Sequence, residues 1–373
     1  MSVTIIPVEN KRQLKAFIYL PKKIHKNHDN WMPPIYMDEW AFHNPQKNRL
    51  LRENNTILAL AYQDHELVGR IMGIIHYKYN EANNEKNARF FKMECTNDQE
   101  VAHALLNHVA SWAKENGMEN LVGPYGFSDK DPQGFQFEGF GELPVIEAPN
   151  NEPYMLQLVE NEGYKADVAW VEYKFNVPDK MPELYEKVYE RLMRSGKYQV
   201  IEPVNKKEIK KYIIPVFELI NDTFKHLYGF AFMSHAEMKD LAKQYMPVLD
   251  PRFLKLVALD NEIVGVIVAI PNLTTGIRKA KGRILPFGIF KIKSEMRKTR
   301  QIDLMIGGIK EELRGRGIDV LLGRNLLKSA MEGGFKVIDS HLELEDNIKI
   351  RAEMERMGGK VVKRFRTYKK TLI

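Results

Sequence analysis

The chain is poor in the residues that build covalent or metal-held frameworks. It has one cysteine, Cys95, so no intrachain disulfide can form. Cysteine–histidine pairs at short spacing are absent, which speaks against structural zinc and fits a reducing compartment. Long apolar runs are missing too. The longest, residues 263–270 (IVGVIVAI), stops at Pro271, far short of the roughly 18 residues a membrane span needs. The first residues, MSVTIIPVENKRQ, show neither an extended apolar segment nor a small-residue cleavage site. No secretory signal is expected, and the expected location is the cytoplasm.

What is present is globular. A chain of 373 residues has room for two domains, each able to bury a core, and 44% hydrophobic against 28% charged residues excludes disorder for the bulk of it. The net charge of +7 is unevenly spread. Residues 278–300 hold nine cations (Arg278, Lys279, Lys281, Arg283, Lys291, Lys293, Arg297, Lys298, Arg300) against one acid, Glu295, a local excess as large as that of the whole chain. Such a field suits an anionic partner, or is a solvated surface loop.

The same order of elements occurs twice. Residues 56–62 and 67–77 read as two strands around a tight polar turn, residues 89–95 as a third, and residues 99–116 as a helix with apolar residues at helical spacing and Asn97 or Asp98 as its cap. In the second half, residues 253–259 and 263–270 form a hairpin, residues 302–306 a strand, and Gly317 opens a helix. A strand over 337–344, a helix over 348–357 and a strand over 361–371 follow. Helices between strands require crossovers, so each half is α/β with at least one parallel pair. The prolines of Val177-Pro178-Asp179-Lys180-Met181-Pro182 mark a boundary, giving units of residues 1–178 and 179–373.

The stretch EELRGRGIDVLL (residues 311–322) follows a strand and opens a helix. A glycine turn at such a junction aims backbone N–H groups outward, the helix dipole adds positive potential, and Arg314 and Arg316 bring charge-assisted donors, so a phosphate or pyrophosphate fits. The same glycines would also serve a helix start that needs close packing.

Arg314-Gly315-Arg316-Gly317-Ile318-Asp319, with the helix and strand after it, resembles the coenzyme A loop of the GNAT superfamily of acyl-CoA N-acyltransferases, whose pattern is Gln/Arg-x-x-Gly-x-Gly/Ala. Asp319 stands where that pattern has Gly or Ala. Asn347 before a helix resembles the residue that often meets the pantetheine arm, while Met354 occupies the place of a frequent tyrosine acid. The first half resembles the superfamily without the loop, so the resemblance implies two tandem GNAT-like domains, each a mixed, mostly antiparallel sheet with flanking helices, and a donor site in the second. The stretch 123–144 (GPYGFSDKDPQGFQFEGFGELP) also resembles a group of bacterial acyltransferase-like proteins.

The implied activity is transfer of an acyl group from acetyl-CoA or another acyl-CoA to an amine, small-molecule or peptide, without a metal. A catalytically silent binding protein and an aminoacyl-tRNA-dependent Fem-like transferase are the alternatives. Nucleic acid is not expected as a partner, because the basic segment carries no recognised RNA-binding signature. Strict alternation over 337–344 puts Asp339, His341 and Glu343 on one face. His341 and Glu343, with Asp303 on the neighbouring strand, are the candidate bases. The 123–144 loop either lines an acceptor pocket or plugs its own core, and Tyr228, Phe230, Tyr245 and Met246 either shape that pocket or pack inside.

Overall fold

The computed structural model describes residues 2–372. Strand β1 (Val3–Pro7) is followed by helices α1 (Lys11–Tyr19), α2 (Pro21–Ile24), α3 (Tyr36–Phe42) and α4 (Leu50–Glu53). The expected hairpin is β2 (Asn55–Gln63) and β3 (Glu66–Ile75); α5 (Tyr77–Asn83) leads to β4 (Asn87–Cys95), and α6 (Gln99–Glu115) crosses to β5 (Asn120–Gly123). Then come β6 (Phe135–Glu138), α7 (Tyr154–Asn161) and β7 (Lys165–Asn176).

The second half repeats the order: α8 (Glu183–Arg194), β8 (Tyr198–Ile201), α9 (Lys206–Phe224), α10 (His235–Tyr245), and the hairpin β9 (Leu254–Leu259) and β10 (Glu262–Pro271). Where the sequence suggested a basic loop, two helices form, α11 (Thr274–Ala280) and α12 (Gly288–Lys298). The chain continues through β11 (Gln301–Ile309), α13 (Ile318–Glu332), β12 (Val337–Leu344), α14 (Ile348–Arg356) and β13 (Lys360–Thr371).

One sheet contains all 13 strands, in the order β1-β2-β3-β4-β5-β13-β7-β12-β11-β10-β9-β8, with β6 added beside β13. Each half has one parallel pair, β4 with β5 and β11 with β12, as the crossover helices require. The two halves exchange strands at the centre. β7 pairs with β12 of the second half, and the last strand, β13, lies between β5 and β7.

The crossover helices sit on the sheet through matched sequence features. In α6, Val101, Ala102, Leu105, Leu106, Val109 and Ala113 recur three and four apart and are buried, each larger one contributing roughly 1.5–3 kcal/mol. A Cβ on Gly69 would come 2.7 Å from Leu105 Cδ1, and one on Gly265 would come 2.7 Å from Ile318 Cγ2, so glycine in the same hairpin strand of each half lets α6 and α13 approach.

At the centre, Lys363 Nζ of β13 lies 2.5 Å from Glu172 Oε1 of β7, with both side chains fully buried and Leu143 O accepting a further bond at 2.7 Å. Removing one charge strands the other in a low-dielectric interior. Lys363→Met is therefore expected to cost about 3–5 kcal/mol in urea unfolding, and adding Glu172→Gln to restore most of it. Equal losses from the single and double variants would refute the stranded charge as the cause.

Candidate active site

β11 and β12 pair over only three positions, Gln301 with Val337, Ile302 with Ile338, and Asp303 with Asp339. Beyond these the strands run on unpaired to each other, leaving a wedge. Each carries an irregularity just past that point. β11 has an extra residue, Met305, against β10, and β12 has one at Ser340-His341 against β7.

The bulge in β12 overturns the expected alternation. Asp339 pairs with Lys174 and Leu342 with Glu172, so Asp339 shares a face with Glu172 and Lys174, whereas Glu343 pairs with Val171 and turns to the opposite face, beside α14. His341 sits at a φ of 60°, and Ser340 repairs the ladder: its hydroxyl accepts from Tyr173 N at 2.9 Å and donates to His341 O at 2.8 Å. The three residues expected on one face are thus divided between two.

His341 lies at the wedge with Nε2 3.0 Å from the carbonyl oxygen of Ile146. A carbonyl can only accept, so neutral imidazole carries its proton on Nε2 and presents Nδ1 as a bare base. Burial holds its pKa below the ordinary histidine value. Glu343 is half-buried, and burial, with Glu353 nearby, pushes its carboxyl up to about 8. It is protonated at neutral pH. Asp303 is fully buried at the apex, held by Asn272 Nδ2 and Gln301 Nε2 at 2.8 Å each, with a pKa pushed up to about 7 by burial. Asp339 beside it is likewise raised, by burial and by Glu172 and Asp303. Asp303, Asp339 and the Glu172–Lys363 pair form the floor beneath His341. No local signal marks Glu172 and Lys363, because their link spans 191 residues.

At the open end, α13 begins at Gly317, with φ 89° and no side-chain cap. The N–H groups of Gly317, Ile318, Asp319 and Val320 have no acceptor among the described residues. A Cβ on Gly317 would lie 2.9 Å from Leu192 Cδ1. Arg314 and Arg316 are exposed on either side of Gly315; Arg314 leans on Ile309 O and Thr223 O at 3.3 and 3.4 Å. Ile318 is wholly buried, so only its backbone can meet a ligand. Asp319 lies near Glu353 and Tyr185 and raises the pKa of both, so its carboxylate adds to an acidic row with Glu353 and Glu343. Asn347 caps α14 by accepting from Ile350 N at 3.4 Å. Met354 packs near Phe175 in the core.

The corresponding helix of the first half differs. The carboxylate of Asp98 caps α6 and accepts from Glu100 N at 2.9 Å, so an anion of the chain's own already occupies that end. The 123–144 loop is largely internal: Tyr125, Phe127 and Phe135 are buried, and Asp131 accepts from Phe127 N at 2.7 Å. Tyr228 packs near Tyr125 and Trp170, while Tyr245 hydrogen-bonds Glu147, the residue after Ile146.

One cluster in the first half, made of two histidines and a glutamate, has metal-ligand chemistry. His25 Nδ1 and His28 Nδ1 are 3.1 Å apart and each 3.6 Å from Glu152 Oε1. Three atoms so spaced lie on a circle of radius about 2.0 Å, a zinc–ligand length. A proton shared between the two imidazoles accounts for the same approach, with Glu94 Oε2 3.2 Å from His25 Nε2.

No protein-family profile matches the chain. It is similar, at 27% identity over 379 residues covering 99% of this chain and 98% of the relative, to a protein named bacterial ceramide synthase of Caulobacter vibrioides (strain NA1000 / CB15N). Among solved structures it is similar to a tandem GNAT protein from the clavulanic acid biosynthesis pathway (12% identity, TM-score 0.56, 100% of this chain and 99% of that one). It also resembles a GCN5-related N-acetyltransferase from Sphaerobacter thermophilus (10% identity, TM-score 0.55, 99% and 96%). The fold is that of tandem GNAT proteins, over the full length of the chain.

Proposed function

We propose that this protein is an acyl-CoA-dependent N-acyltransferase whose donor site lies in residues 179–373, with residues 1–178 as a unit without one, and whose acceptor is a long-chain amine. The observation that carries the reading is the contrast between the two crossover helices. α6 is closed by Asp98, whereas α13 opens at Gly317, directly after Arg314-Gly315-Arg316, with N–H groups that have no acceptor among the described residues. The relative named a ceramide synthase supports a lipid amine as acceptor.

In this reading Arg314, Arg316 and the first N–H groups of α13 hold the pyrophosphate, and Asn347 offers its amide to the pantetheine arm. The backbone at the Met305 bulge polarises the thioester carbonyl. His341 Nδ1 takes a proton from the amine as its nitrogen attacks that carbon. As the carbon–sulfur bond breaks, Glu343 gives its proton to the thiolate, the role Met354 cannot fill. Solvent then reprotonates Glu343 and deprotonates His341, closing the proton balance.

The test is release of free thiol from acetyl-CoA and from a long-chain acyl-CoA, each offered with a polyamine, a lysine peptide and a long-chain amino alcohol. Thiol release confined to the long-chain amine is expected. Tight coenzyme A binding without turnover on any amine would leave a silent binding protein, and acceptance of aminoacyl-tRNA alone would replace the donor class.

A further inference from the structure

The helical hairpin α11–α12 has two unlike sides. Its inner side is core: Leu273, Ile277, Ala280 and Ile292 are buried together with Ile270. Its outer tip is the reverse. Leu285, Phe287 and Phe290 are 69%, 72% and 67% exposed, three bulky apolar side chains within six residues that none of the described residues covers. Lys281, Arg283, Lys291 and Lys293 are exposed around them, and Arg297 lies further along α12. The segment's one acid, Glu295, is taken up by Lys279 at 3.0 Å and Lys298 at 3.3 Å.

We propose that this tip docks the protein on an anionic lipid bilayer, the three apolar side chains entering the boundary between headgroups and acyl chains while the surrounding cations meet lipid phosphates. An apolar point ringed by cations that have no acidic partner among the described residues matches a surface that is apolar inside and negative outside. A second copy of the chain is a poor occupant, since a self-complementary contact would set this cationic segment against itself. Nucleic acid matches the cations and leaves Leu285 in water.

The hairpin is braced as a docking element must be. Gly282 O accepts from Tyr36 N at 3.0 Å, Arg278 bonds to Trp31 O and Asp29 O, and Thr274 Oγ1 donates to Pro144 O at 2.6 Å. Pro144 lies two residues before Ile146, whose carbonyl faces His341. The docking surface therefore flanks the base side of the wedge, and a bilayer there would present a lipid amine to it. This last step rests on the proposed function; the docking itself does not.

The experiment is co-sedimentation of the full chain with vesicles of phosphatidylcholine alone and with about 30% phosphatidylglycerol, at low and high salt. Two variants accompany it, Leu285→Ser/Phe287→Ser/Phe290→Ser and Lys281→Glu/Arg283→Glu, each checked by circular dichroism. The native chain is expected to pellet with the anionic vesicles only, and less so at high salt. The apolar variant is expected to lose at least about tenfold in partitioning and the charge variant about thirtyfold, both keeping thiol release from a detergent-dispersed amine. The inference is overturned if the native chain stays in the supernatant with both vesicles, if neither variant changes partitioning, or if the tip instead controls tRNA binding or self-association. Vesicle binding without thiol release on any acceptor would remove the proposed function and leave the docking surface standing.

Discussion

Arg314→Ala/Arg316→Ala should weaken binding of an acyl-CoA by roughly a hundredfold while leaving the melting temperature unchanged. Both side chains are exposed and neither is part of an ion pair among the described residues, so the fold loses little. Each charge-assisted bond to a phosphate is worth about 1.5–3 kcal/mol, and the loss of two of the weaker kind amounts to about 3 kcal/mol. Titration calorimetry of the native chain and the variant decides it. An affinity within threefold of native would move the donor away from α13. The acidic row of Asp319, Glu353 and Glu343 adds a second expectation to the same experiment. Asp319→Gly, which restores the glycine of the resembled loop, should tighten binding by about 3- to 10-fold, since a carboxylate beside a pyrophosphate opposes it.

The sequence made these local features visible because short-range chemistry decides them. Asn97 or Asp98, and Gly317, stood out as helix starts because a cap needs a short acceptor or a left-handed backbone, and the helices open at Asp98 and Gly317. The hairpins were legible because their polar turns interrupt β-branched and apolar runs. The exchange of β7 and β13 between the halves was not, since strand order is fixed by partners far apart in the chain. The bulge at Ser340-His341 was also hidden. Period-two reading assumes an unbroken strand, and one extra residue moved Glu343 to the other face. The α11–α12 hairpin read as a charged loop because its buried Ile277, Ala280 and Ile292 are diluted by cations that the outer surface carries.

The division of His341 and Glu343 between two faces gives the strongest test of the chemistry, a bell-shaped dependence of kcat/KM on pH. His341 must be neutral to accept a proton, and burial keeps its pKa below 6.5, with Glu172 pulling up and Lys363 pulling down from the same face. Activity therefore rises through a limb below 6.5. Glu343 must be protonated to serve the thiolate, and with its pKa at about 8 activity falls again above that value. His341→Asn keeps a residue tolerant of the left-handed backbone and removes the base, so kcat should drop by about 10²–10⁴ with thioester affinity unchanged. Glu343→Gln should lower kcat by about 10²-fold and abolish the alkaline limb while the acid limb persists. An alkaline limb retained in Glu343→Gln would assign it to another group, and His341→Asn activity within tenfold of native would leave amine deprotonation to water. Because the two side chains stand on opposite sides of β12, the double variant should lose about the product of the single losses in a chemistry-limited assay, as expected for groups that serve different bonds.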